Sequence, residues 1–108
     1  KRRLGRERQA LARRVLGAAG AILAPTHANA LHLWLTLPEP WTDEAFAAEA
    51  RRRGVLLTAG TGFAVGRPPS EAVRIALGSP KSLAEVQRGL DIVAGLLRGS
   101  GEPDQSIV

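Results

Sequence analysis

The residue in this chain best suited to holding a charged small molecule is Arg74. It stands where Val73, Ile75 and Leu77 alternate with Ala72, Arg74 and Ala76, the period-two pattern of a half-buried strand. A guanidinium on a strand is held more rigidly than one on a loop, and its planar fork matches a carboxylate in bidentate fashion. Arg74 could therefore bind an anionic substrate, although on pattern alone an ordinary solvent-facing strand arginine is the simpler reading. The same alternation runs from Leu31 to Leu37, with Leu31, Leu33, Leu35 and Leu37 on a core face and His32, Trp34 and Thr36 on the other. His32 and Trp34 thus join Arg74 on a surface that helices do not cover, where a tryptophan ordinarily packs against a neighbouring domain.

Other candidate chemistry is thinner. Gly60, Thr61, Gly62 and Phe63 follow a short β-prone run, and two glycines there permit turn conformations closed to other residues. The spacing is not that of a dinucleotide fingerprint, since no helix follows in the required place. The sequence has no cysteine, which excludes disulfides and thiolate metal sites, and the isolated His27 and His32 offer no metal constellation. A net charge of +5 invites a nucleic-acid reading. The basic residues, however, gather as Arg2, Arg3, Arg6, Arg8, Arg13 and Arg14 in one helix and as Arg51, Arg52 and Arg53 at the end of another. No aromatics are interleaved with them, so solvated helix faces and a favourable dipole placement explain them more simply.

The elements that position these residues are marked by their own signals. A chain of 108 residues, 44% hydrophobic, suffices for one compact domain and is expected to be a piece of a longer protein, since it opens in what reads as mid-helix. No apolar stretch approaches a membrane span. From Lys1 to about Ala19 the residues Leu4, Leu11 and Val15, with Ile22 a further candidate in the same series, recur at helical spacing, and Pro25 stops the continuation. After the Leu31–Leu37 strand, Thr42 caps a helix that begins with Asp43 and Glu44, ends on the three arginines and closes at Gly54. Val55 to Thr58 forms the second strand and Val73 to Leu77 the third. Ser82 and Glu85 then make a capping box for a last helix with the stripe Leu83, Val86, Leu90, Val93 and Leu97.

This order predicts an α/β (α+β) two-layer sandwich, a three- to four-stranded mixed sheet with helices on one face. A right-handed crossover through the middle helix would make the first two strands parallel. The domain is expected over 1–98, with 99–108 a flexible tail.

The run His32-Leu33-Trp34-Leu35-Thr36-Leu37-Pro38, then Arg53-Gly54-Val55-Leu56-Leu57-Thr58-Ala59-Gly60 with Phe63 beyond it, then Val73-Arg74-Ile75-Ala76-Leu77-Gly78, resembles the C-terminal small domain of class I/II aminotransferases from about Leu4 to Leu97. With Pro40-Trp41 after the first strand and Gly62-Phe63-Ala64-Val65-Gly66 in the loop, it is closer still to the MocR-type branch of GntR-family transcription regulators.

The resemblance implies that Arg74 pairs with the α-carboxylate of an amino acid, and that residues 60–63 approach the mouth of the site. It also implies pyridoxal phosphate (PLP) in the parent protein, a missing large domain that holds it, homodimerisation, an amino-acid effector, DNA contact through an absent winged-helix domain and a cytoplasmic location. A free-standing aminotransferase is the alternative. Lys1 and Lys81 lie in no matching motif, so this piece alone is expected neither to hold the cofactor tightly nor to catalyse. The sheet face that once met the large domain should be exposed, and self-association through Trp34 is expected.

Overall fold

The computed structural model describes residues 2–23, 30–60 and 71–99, with side chains from residue 5 onward. Three helices, α1 (Arg2–Ala18), α2 (Asp43–Arg52) and α3 (Leu83–Gly99), accompany four strands, β1 (Ile22–Leu23), β2 (His32–Thr36), β3 (Thr58–Ala59) and β4 (Ala72–Ala76). The strands form one sheet in the order β1-β2-β4-β3, and every pairing is antiparallel. The mixed sheet expected from the sequence is thereby corrected. β2 and β3 do run in the same direction on either side of α2, but β4 inserts between them, so no parallel pair forms. The two-residue β1 completes the sheet at the other edge, ahead of the strand expected first.

Alternation sorts the sheet into two faces. Leu33 and Leu35 of β2, with Val73 and Ile75 of β4, are buried against Leu11, Ala12 and Leu16 of α1, Phe46 and Ala50 of α2, and Val86, Leu90, Val93 and Leu97 of α3. All three helices therefore contribute to the core on one side. Each β-branched or leucine side chain removed from water there contributes about 1.5–3 kcal/mol. The expected stripe of α3 is correct except at its start, because Leu83 is 45% exposed while Ala94 and Leu96 join the buried set. Leu31 likewise stays 37% exposed, just outside the β2 ladder.

Local signals set the helix boundaries. Thr42 adopts extended backbone and its Oγ1 accepts from the Ala45 N–H at 3.2 Å. Trp41, immediately before that cap, meets Phe46 edge to face with ring centroids 5.0 Å apart, a hydrophobic staple that fixes how the chain approaches α2. Gly54 closes α2 with φ 95°, a conformation costly for any residue with a Cβ. At α3, Ser82 Oγ accepts from the Glu85 N–H, while Glu85 Oε1 reaches back to the Lys81 N–H rather than to that of Ser82.

Candidate functional site

β4 is the second strand from one edge, and its register decides what surrounds Arg74. Trp34 of β2 lies directly opposite Arg74 on one side, and Thr58 of β3 directly opposite on the other. Directly opposed residues share a face and bring their Cβ atoms to about 4.5–5.5 Å. One rung of the sheet thus presents Trp34, Arg74 and Thr58 in a line on the face away from the helices. Along β4 the flanking residues on that face are small, Ala72 buried and Ala76 exposed. The next rungs hold His32 opposite Ala76 and Thr36 opposite Ala72, with Ile22 of β1 opposite Thr36.

Arg74 and Trp34 are each half-buried, and His32 is exposed. Gly60 is buried immediately after β3, adjoining this row, whereas Thr61, Gly62 and Phe63 lie outside the described residues. The arrangement offers a cationic fork beside an indole, able to pair with a carboxylate and to shield one side of it from water. Among the described residues no group of histidine, aspartate or glutamate could hold a metal ion.

Two cavities among the described residues lie away from this row. One of about 600 Å³ opens between residues 53–57 and α3, floored by Leu57, Ile75, Leu77 and Val86. A second of about 380 Å³ separates α2 from residues 56–59. Neither is lined by Arg74 or Trp34.

The cofactor implied by the resemblance can be tested against the same residues. A Schiff base requires a lysine amine, and Lys81, the lysine among the described residues, is exposed at the start of α3 rather than on the Arg74 row. Among the described residues, the row of Trp34, Arg74 and Thr58 holds no lysine that could form such a bond to pyridoxal phosphate.

Sequence reasoning misplaced one polar residue and passed over another. Arg8, read as part of a solvated face, is 4% exposed, and the neighbouring Gln9 is 2% exposed. Arg8 Nη1 donates to the carbonyls of Leu77 at 2.7 Å and Pro80 at 2.8 Å. Gln9 Nε2 donates to those of Ala30 at 2.9 Å and His32 at 3.0 Å. The signal was present in the spacing, since Arg8 stands in line with Ala12 and Leu16 at i, i+4 and i+8, yet the charge on the side chain argued the other way. Arg6, Arg13 and Arg14 are exposed as expected, and Arg52 and Arg53 both pair with Glu49. Asp43 is buried too, and its N–H donates to Glu71 Oε1 at 2.8 Å, tying the start of α2 to the approach to β4.

No protein-family model matches the chain. Over 65 residues, 59% of its length, it is 40% identical to the uncharacterized HTH-type transcriptional regulator YdeF of Bacillus subtilis (strain 168). A probable N-succinyldiaminopimelate aminotransferase from Thermus thermophilus matches 88% of the chain with a TM-score of 0.72 and 33% identity. An archaeal alanine:glyoxylate aminotransferase matches 87% with a TM-score of 0.71 and 24% identity, a likeness of fold alone. The chain spans 14% of the regulator and 24% of each aminotransferase.

Proposed function

We propose, from the premise that this chain is an aminotransferase-like small domain with a helix-turn-helix regulator among its relatives, that it is part of the effector-binding domain of a MocR/GntR-type regulator. In that reading Arg74 receives the α-carboxylate of an amino acid. The observation that carries the proposal is the rung of Trp34, Arg74 and Thr58 on the sheet face opposite the helices. A bidentate guanidinium on a central strand fixes both the position and the plane of a carboxylate, and the indole keeps water from one side of the pair.

The remaining parts belong to the rest of the parent protein. Pyridoxal phosphate would be held by its large domain and would supply the carbonyl chemistry that reads the amino group. Binding of the amino acid between the two domains would bias the arrangement of two protomers, and DNA contact would fall to a winged-helix domain. A cytoplasmic location goes with this reading.

The test is titration of the full-length parent, loaded with pyridoxal phosphate, with amino acids while the cofactor absorbance is followed. Arg74→Ala is expected to abolish the response at concentrations that saturate the unaltered protein, and Arg74→Lys to weaken it severely because the fork is lost. An undiminished response in Arg74→Ala would overturn the assignment.

Because both solved structures above are named aminotransferases, a second reading is that the parent is a free-standing aminotransferase in which the same arginine serves turnover. The parent's upstream sequence separates the two. A winged-helix segment with a basic recognition helix decides for the regulator, and an aminotransferase-like region without one decides for the enzyme.

A further inference from the structure

We infer that Arg8 and Gln9 are positioning residues for Arg74, so that the setting of α1 is transmitted to the carboxylate-binding rung. The inference rests on the reading of Arg74 given above. Two consecutive residues of α1 hold the same end of both central strands. Arg8 grips the carbonyl of Leu77, where β4 runs out, together with that of Pro80 in the turn to α3. Gln9 grips the carbonyls of Ala30 and His32, where β2 begins. Between the two grips the Leu77 N–H donates to the Leu31 carbonyl at 2.8 Å, and His32 stands opposite Ala76.

Apolar packing alone would not give this control. Hydrophobic contacts are non-directional, whereas bonds to named carbonyls require a particular distance and angle and so fix the offset of each strand. That offset matters because a one-residue slip between β2 and β4 would turn Trp34 or Arg74 toward the helices. Stability is a poor account of the pair. A guanidinium buried among carbonyls, with its Nε lacking a hydrogen-bond partner among the described residues, is costlier to bury than an apolar side chain in the same place.

The experiment uses the full-length parent loaded with pyridoxal phosphate and two titrants: an amino acid that perturbs the cofactor spectrum, and the corresponding primary amine without its carboxylate. Arg8→Lys is too short to reach the Nη1 position from which both carbonyls are held, and it is expected to weaken the amino acid roughly ten- to a hundredfold while leaving the amine unchanged. Gln9→Met removes both donors at similar volume without altering charge. It is expected to show the same selectivity and carries the test alone if Arg8→Lys does not fold.

Equal weakening of both titrants in a folded variant marks a merely structural role and overturns the inference, as does an unchanged affinity for the amino acid. Arg74→Ala is run alongside. If it leaves amino-acid affinity intact, the reading of Arg74 falls and this inference with it. If it abolishes binding while the Arg8 and Gln9 variants do not discriminate, the reading of Arg74 stands and only the coupling to α1 falls.

Discussion

Arg74 and Leu83 illustrate how far a single side chain's role follows from its neighbours in sequence. Alternation alone put Arg74 opposite Val73 and Ile75, and the sheet places it so, because in a strand the direction of a side chain depends on parity and little else. Leu83 fitted the helical stripe of α3 equally well, yet at 45% exposure it lies beyond the edge of the core, whereas Leu90 is 2% exposed. Leu90→Ala is therefore expected to destabilise the chain by about 2–5 kcal/mol and Leu83→Ala by no more than about 0.5 kcal/mol, a contrast readable by urea denaturation. Phe46, fully buried and stapled by Trp41, should cost about 3–5 kcal/mol as Phe46→Ala. Arg8 and Gln9 were the residues least legible in the sequence. Spacing within α1 sets Arg8 in line with Ala12 and Leu16, but the carbonyls that satisfy it and Gln9 come from segments distant in sequence, which no pattern within α1 reveals.

At the scale of elements, the helix boundaries were written locally and the sheet order was not. Thr42, Gly54 and Ser82 act within one turn of their own positions, so their roles follow from residue type. Thr42→Ala is expected to lower stability by about 1 kcal/mol, with thermal denaturation as the check, because the Ala45 N–H then loses its acceptor. The insertion of β4 between β2 and β3 has no such local mark. Both neighbours offer it an antiparallel edge, and the pairing joins segments far apart in the sequence. β1 escaped notice because a two-residue strand carries too little pattern to distinguish it from a connector.

For the whole molecule, the consequence of a one-sided helix layer is that, among the described residues, no helix covers the other sheet face. His32 and Thr58 are exposed there beside the half-buried Trp34, and Ile22 is 66% exposed. Self-association of the 108-residue chain through this face is the expected outcome, and sedimentation should show an average mass that rises with concentration and falls back in Trp34→Ser. Concentration-independent monomers would count against it.

The central place of β4 has a further bearing on how the chain acquires its structure. Its two partners both precede it in the sequence, and β2 is separated from it by all of α2 and β3. Until β4 has been synthesised and has docked, β3 has no route into the sheet, and β1 with β2 can form no more than a short ribbon. Closing that long-range pairing is the slow, entropically costly part of assembly, so the strand bearing the guanidinium is also the one that makes folding all-or-none. A newly made chain would have no partly assembled rung of Trp34, Arg74 and Thr58.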